Sequence, residues 1–378
     1  MNQEVISIFT ICWNSQSVRL CESLDPEVVA EHRKSSPYVY GYFNVPSSWL
    51  YSCENPDFMI PLLEKIRKQN PTIIVVAFQE DVYPGSYLHS HLLPEVLPQY
   101  GYTLVDRSVL MGMGKTTATG LYNADIVTRG LRLSVYVRSN VSSEIKEASQ
   151  ALVYTNSYFR NKGACAIYLT LPTNENLAII DAHLPFDAKS LKDSVLKQDD
   201  LIRDNSVYDQ DIFYNEAYRT LVLDAPAKPV YVLFMGDLNY RIKPFNNWSS
   251  QATGTRLLET LRIDPNQYTQ LIKQYDEYWQ QAAKKNIYLF NEGINNNGPQ
   301  FSPTCKMAKP RPIDTVDIFS YKIGEFYQRV PSHCDRILYT TLRSTGPQLI
   351  CVEYNRFDYG NTVKSDHALV YGTFTFRL

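Results

Sequence analysis

Phe234-Met235-Gly236-Asp237-Leu238-Asn239-Tyr240-Arg241 closes an apolar run that opens at Val230. A strand turns successive side chains to opposite faces, so Asp237 and Asn239 are expected on one side of the strand's end, with Arg241 two residues further on. A carboxylate beside a carboxamide is costly inside a core and useful at a site. The stretch therefore predicts a buried strand that breaks at one glycine and delivers polar groups to a cleft.

The same design recurs along the chain. Buried strands are expected at Ile6–Cys12, Ile73–Phe78, Leu131–Val137, Ala164–Leu171, Leu177–Ala182, Val230–Met235, Arg336–Thr340, Leu349–Val352 and Ala368–Phe376. Ile6–Cys12 runs into Trp13-Asn14, Ile73–Phe78 into Gln79-Glu80, and Leu177–Ala182 into His183, while Ser365-Asp366-His367 precedes the last strand. One such strand end is an ordinary turn; five together predict a site at the strand tips of an α/β fold. Helices are expected at Asp57–Lys68, Lys189–Arg203, Thr255–Arg262 and Pro265–Ala283. In the last of these Tyr268, Leu271, Ile272, Tyr275 and Trp279 recur at helical spacing, which reads as core.

Length and composition bound the function. The 378 residues carry no repeat, low-complexity tract or linker-like stretch, so one domain over residues 1–378 is expected. Apolar residues make up 44% and aromatic residues 13%, enough for a large core. A net charge of −2 argues against a protein whose main partner is the phosphate backbone of nucleic acid. The seven cysteines are scattered without a CxxC pair, which reads as reduced thiols in a cytoplasmic protein. No apolar run approaches the ~20 residues of a membrane span, and the N-terminus reads as a first strand rather than a signal peptide.

The polar residues gathered in this way are Asn14, Glu80, His183, Asp237, Asn239, Asp335, Asp366 and His367, with Lys162 in the turn Asn161-Lys162-Gly163. Carboxylates and carboxamides without a cysteine-histidine cluster suit a hard cation such as Mg²⁺ rather than zinc. Two histidines and an Asp-x-Asn pair can activate a water and hold an oxyanion. These parts point to Mg²⁺-assisted hydrolysis of a phosphate ester by direct water attack. Gly112 to Thr117 mimics a phosphate-binding glycine loop, but Val109 stands where that pattern needs its first glycine.

Several motifs carry a family resemblance: GDLNYR at 236–241, PSHCDRILY at 331–339, SPTCK at 302–306, NKG at 161–163 and SDHALVYG at 365–372. With CWN at 12–14 and FQE at 78–80, this ordered set resembles the inositol polyphosphate 5-phosphatases and spans nearly the whole chain. The terminal SDH alone is shared with the wider endonuclease/exonuclease/phosphatase superfamily. The resemblance implies a four-layer α/β sandwich, two packed mixed β-sheets flanked by helices, and a Mg²⁺-dependent phosphomonoesterase. It makes Glu80 the principal metal ligand, with Asn14 and Asp366 beside the metal. It makes Asp237 the group that positions and deprotonates water, and Asn239 the one that orients the scissile phosphate. His367, supported by Asp335, would stabilise charge on that phosphate, with His183 against its other side. Asn161, Lys162, Arg241, Lys306, Arg329 and Arg336 would bind substrate.

Lys306 and Arg329 match the residues that grip a neighbouring 4-phosphate in the family, but Cys305 and Tyr327 replace an expected aromatic residue and an expected lysine. Phe234 and His333 stand where the family has tryptophans; the first is expected to pack and the second to be a solvated neighbour. The implied substrates are phosphoinositides, with phosphatidylinositol 4,5-bisphosphate and 3,4,5-trisphosphate foremost, or soluble inositol polyphosphates. The expected partners are thus an inositide and a transient membrane surface, with no nucleic acid, for a monomeric protein that is cytoplasmic or peripheral at membranes. A nuclease of the same superfamily and a catalytically silent phosphoinositide-binding module are the competing readings.

Overall fold

The computed structural model describes residues 6–15, 19–20, 53–54, 60–82, 93–111, 129–142, 144–145, 148–154, 162–185, 209–308, 321–322, 329–357 and 365–377. The expected helix Lys189–Arg203, Asn161, Tyr327 and the glycine-loop mimic at 112–117 lie outside them.

In chain order the elements are β1 Ser7–Asn14, β2 Arg19–Leu20, β3 Cys53–Glu54, α1 Ile60–Gln69, β4 Ile73–Val82, α2 Leu93–Gln99, β5 Tyr102–Met111 and β6 Arg129–Arg138. There follow β7 Ala148–Tyr154, β8 Gly163–Thr170, β9 Asn176–His183, α3 Asp209–Tyr218, β10 Tyr231–Asp237, α4 Ser250–Ile263, α5 Pro265–Tyr275 and α6 Glu277–Ala283. The chain closes with β11 Asn291–Glu292, β12 Asp335–Thr341, β13 Gln348–Phe357 and β14 Leu369–Arg377.

One six-stranded sheet runs β13-β14-β1-β4-β6-β5 and the other β11-β12-β10-β9-β8-β7. Each is built around one parallel pair, β1 with β4 and β9 with β10, and is otherwise antiparallel. The parallel pairs end at Asn14 opposite Gln79 and at His183 opposite Asp237, with Glu80 following Gln79, and the antiparallel neighbours β12 and β14 begin at that same edge with Asp335 and the residues after His367. One end of the sandwich thereby collects every strand tip singled out in the sequence.

Side-chain alternation sorts three apolar layers. Ile73, Val75 and Ala77 face the other sheet with Ile179, Leu233 and Ile337, while Ile74, Val76 and Phe78 pack under α1 and α2. On the far side Val232, Phe234 and Leu338 pack with residues of α3, α5 and α6. The result is the expected helix–sheet–sheet–helix sandwich. Phe234 packs as expected, with its ring 5.1 Å from Tyr214 and 5.7 Å from Phe290.

The expected helix Pro265–Ala283 is two helices. Asp276 leaves helical geometry at ψ 129°, accepts a hydrogen bond from the Tyr278 backbone N–H at 3.0 Å, and so caps α6. His333 is not solvated. It is fully buried, packs against Phe301 and Tyr268, and donates from Nε2 to the Phe301 carbonyl at 2.9 Å. Burial pushes its pKa down to about 3, so the ring stays neutral.

Candidate active site

Strand alternation explains why these particular residues meet. In β10, Tyr231, Leu233 and Met235 face the opposite sheet, and Asp237 continues that row. In β9 the same row runs Leu177, Ile179, Asp181, His183; in β12 it starts at Asp335 and continues with Ile337 and Tyr339. In β1 it runs Ile8, Thr10, Cys12, Asn14. Each row is mostly apolar in the interior, with Thr10 and Asp181 as buried exceptions, and ends in a polar side chain at the shared edge.

Glu80 breaks that rule. By alternation Gln79 would face inward, and it does, donating to Asp181 at 2.6 Å. The register of β4 on β6 shifts between Phe78 and Asp81, and Glu80 adopts φ 51°, a left-handed conformation that side-chain-bearing residues seldom take. The bulge turns Glu80 towards His183, whose Nε2 lies 3.9 Å from its Oε1. Gly236 is obligatory: at φ 143°, a Cβ there would stand 1.7 Å from the Ala182 carbonyl oxygen of β9.

Asn239 reaches the site for a different reason from the expected alternation. The strand ends at Asp237, Asn239 sits at φ 58°, and its backbone N–H donates to Asp237 Oδ1 at 3.1 Å. Its side chain donates to the Leu184 carbonyl at 2.9 Å and accepts from the Arg241 guanidinium at 2.9 Å. Arg241 is thus turned onto Asn239 and onto Cys305 Sγ at 2.7 Å.

Asp237 is the hub. Asn14 donates its amide to Asp237 Oδ2 at 2.9 Å, and His183 Nε2 lies 3.4 Å from the same oxygen. Lys162 also contacts His183 Nε2. On the other side His367 donates from Nδ1 to Asp335 Oδ2 at 2.9 Å, and its Nε2 lies 3.6 Å from Asp366 Oδ1. Ser365 ties the strands together, donating to the Asn14 carbonyl at 2.7 Å and accepting from the His367 N–H at 3.1 Å. Trp13 Nε1 donates to the His367 carbonyl at 3.1 Å.

The two histidines are driven to opposite charge states. Burial, then the Lys162 charge, lowers the pKa of His183 against the pull of Asp237. Burial also acts against a charge on His367, but the Asp335 carboxylate leads the groups that outweigh it and hold the pKa up to about 10. Asp237 is held well below the usual carboxylate range: its burial is outweighed by the hydrogen bond from His183 and the charge of His367. A neutral imidazole, an ionised carboxylate and an imidazolium therefore sit side by side, a division that sets up acid–base roles.

Asp366, expected beside the metal, is paired with two lysines. Its Oδ2 meets Lys306 Nζ at 3.1 Å and Lys322 Nζ at 2.7 Å. Burial opposes its ionisation, yet His367 and these lysines hold its pKa at about 2. Lys306, Lys322 and Arg329 line one small recess with Tyr321 and Pro331. Sequence reasoning missed Lys322, which no motif marks.

Arg336 is not a substrate ligand. It follows Asp335 in β12, so it faces away from the other sheet; fully buried, it contacts Asp276 and donates to Glu292 at 2.8 Å. It is an internal clamp between β12, α6 and β11.

The oxygen-rich set fits a hard divalent cation. Asp237 and Asp335 offer buried carboxylate oxygens that, with a His367 nitrogen, lie within 4.8 Å of one another, and Asp335 Oδ1 has no hydrogen-bond partner among the described residues. Glu80 and Asn14 add oxygen donors around Asp237, the donor type that Mg²⁺, Ca²⁺ and Mn²⁺ take.

The chain matches the Endonuclease/Exonuclease/phosphatase family 2 across residues 43–373. The chain belongs to that family. Its members are metal-dependent hydrolases, in keeping with the acidic cluster here. No curated protein shows significant sequence similarity to the chain. Among solved structures it is similar to the inositol polyphosphate 5-phosphatase domain of SPsynaptojanin, in complex with inositol (1,4)-bisphosphate and calcium ion. That match has 18% identity and a TM-score of 0.55, and covers 98% of this chain and 84% of that one. It is also similar to Cimex nitrophorin, a ferrous NO complex, at 17% identity and a TM-score of 0.57 over 99% of each chain. The fold alone therefore does not choose a chemistry, and the site must.

Proposed function

We propose that the chain is a Mg²⁺-dependent phosphomonoesterase that removes the 5-phosphate of phosphoinositides or soluble inositol polyphosphates by direct water attack. The observation that carries this reading is the recess of Lys306, Lys322 and Arg329 beside Asp366-His367. In this reading its three cations meet a second anion next to the hydrolytic group, as a substrate with neighbouring phosphates requires. The motif resemblance and the 5-phosphatase domain among the similar folds support the same assignment.

In this mechanism Glu80 and Asn14 would hold the metal, and when bound it would supply polarisation of the phosphoryl oxygen. The ionised Asp237 orients a water and takes its proton, while neutral His183 keeps that carboxylate in position. The imidazolium of His367 faces the phosphoryl oxygens as negative charge develops, and Asp335 keeps it charged. Asn239, braced by Leu184 and Arg241, directs its amide edge to the phosphate.

Phosphate release is measured on a panel of lipid and soluble inositides, beside nicking of plasmid DNA, with Mg²⁺ and with excess chelator. Mg²⁺-dependent release from 4,5-bisphosphorylated substrates is expected. Nicking without inositide turnover would replace this reading with a nuclease, and silence on every substrate would point to a binding module.

A further inference from the structure

We propose that Cys305 and Cys334 form a reversible oxidation site, closed to a disulfide by hydrogen peroxide, that switches the adjoining hydrolytic site off. The two sulfurs lie 3.3 Å apart, and a disulfide needs ~2.05 Å, so about 1.3 Å of closure joins them. Both thiols are fully buried, which restricts the oxidant to a small one.

Their surroundings make them unequal. Arg241 donates to Cys305 Sγ at 2.7 Å, whereas Cys334 Sγ points to the Tyr240 carbonyl at 3.6 Å. The guanidinium against Cys305 Sγ stabilises negative charge on that sulfur, whereas Cys334 Sγ faces a carbonyl oxygen, which does not. An attacking thiolate beside a resolving thiol is the arrangement that redox-active pairs use.

The chemistry balances. The Cys305 thiolate attacks one peroxide oxygen, the O–O bond breaks, and the departing hydroxide takes a proton to become water. Cys334 then loses its proton and attacks the sulfur of the resulting sulfenic acid, forming the S–S bond and releasing a second water. Two thiols are oxidised by two electrons, and one peroxide is reduced to two waters.

The site sits where closure matters. Cys334 directly precedes Asp335, and the backbone of Cys305 pairs with Ser332 on one side and His367 on the other. Drawing the sulfurs together pulls on both partners of the His367–Asp335 pair and takes from Arg241 the sulfur that, with Asn239, fixes its guanidinium. A displacement of ~1 Å at such a site can cost roughly a hundredfold in rate.

The oxidation does not depend on the substrate; only its effect on turnover rests on the hydrolase reading. The folded chain is treated with a small excess of hydrogen peroxide, its remaining thiols are alkylated under denaturing conditions, and the digest is analysed by mass spectrometry. The expected result is a peptide cross-linked between Cys305 and Cys334, reversed by dithiothreitol, with phosphate release falling about a hundredfold and returning in parallel. In Cys334→Ser, dimedone should instead trap a sulfenic acid at Cys305; if that variant does not fold, the wild-type peptide map still decides. Two alkylated cysteines after peroxide, or a cross-link elsewhere, overturn the site. The expected cross-link with unchanged turnover overturns the switch. Absence of any phosphate release before oxidation would count against the hydrolase reading alone, leaving the cross-link result to stand.

Discussion

His367 donates from Nδ1 to Asp335 Oδ2 at 2.9 Å, joining the start of β14 to the start of β12 across the sandwich. This bond sets the protonation state of the site. The charge of the Asp335 carboxylate it holds in place is the leading reason that a fully buried imidazole remains an imidazolium, with a pKa of about 10. The sign matters for stability as well as for chemistry. A folded pKa raised above the unfolded value of ~6.5 stabilises fully below ~6.5, and that contribution is lost as pH rises through about 10.

If the pair works as a unit, Asp335→Asn and His367→Ala should each lower kcat/KM by ~10²–10³, the usual loss for one donor to a developing oxyanion. The double variant should be little worse than the poorer single one. Wild-type activity should decline on the alkaline side as His367 loses its proton, and Asp335→Asn should move that limb to lower pH. Additive losses, or an unmoved limb, would separate the two residues.

Glu80→Gln should keep the fold, because the Glu80 side chain is 18% exposed and its strained backbone is set by the bulge in β4. It removes a charged oxygen donor from the metal set, so half-maximal activity should need roughly tenfold or more Mg²⁺. A metal titration of phosphate release checks this, with a parallel Mg²⁺-dependent melting shift as a readout independent of turnover. An unchanged titration would remove Glu80 from the metal.

The positions of Asn14, His183, Asp237 and Asp335 were legible in the sequence, since period-two alternation carries each apolar row to the same sandwich edge. Glu80 and Asn239 reach the site for reasons that alternation does not supply. One is re-aimed by a bulge and the other by a left-handed turn, and neither feature has a local composition signature. The resemblance placed Asp366 beside the metal; its pairing with lysines was not legible, because those lysines come from separate segments and Lys322 carries no motif. The Arg336 assignment failed for a plainer reason. Alternation from Asp335 already turned it towards the helices, and Asp276 and Glu292 waited there.

That clamp yields a prediction about stability rather than catalysis. Burial raises the pKa of both Asp276 and Glu292, and the Arg336 guanidinium is what offsets that penalty. Arg336→Ala strands two buried carboxyls and should cost ~3–5 kcal/mol, the usual loss when one partner of a buried pair is removed. Arg336→Met, which refills the volume, should still melt well below wild type unless the carboxyls take up protons. Its melting temperature should therefore recover partly as pH falls. A variant that melts like wild type but loses affinity for substrate would return Arg336 to the binding site.

The recess beside Asp366 gives the last test. Lys306 and Lys322 share one carboxylate oxygen, at 3.1 and 2.7 Å, with Arg329 in the same wall. A charge-assisted hydrogen bond from either lysine to a substrate's neighbouring phosphate is worth roughly 1.5–3 kcal/mol. Energy from a group that does not react can be used to position the one that does, so its loss should appear in kcat/KM and not in affinity alone. Substrates carrying both 4- and 5-phosphates should therefore be preferred over those with the 5-phosphate only. Lys306→Ala and Lys322→Ala should each shrink that preference about tenfold or more, while affecting the 4-dephospho substrate little. Asp366 separates the two lysines' roles from a merely structural pairing. In Asp366→Asn both lysines lose their internal counter-charge, so the preference should persist or grow if they serve the substrate. The ratio of kcat/KM for the two substrates, in wild type and the three variants, decides it. A ratio unmoved by either lysine substitution would mean that these cations only neutralise Asp366.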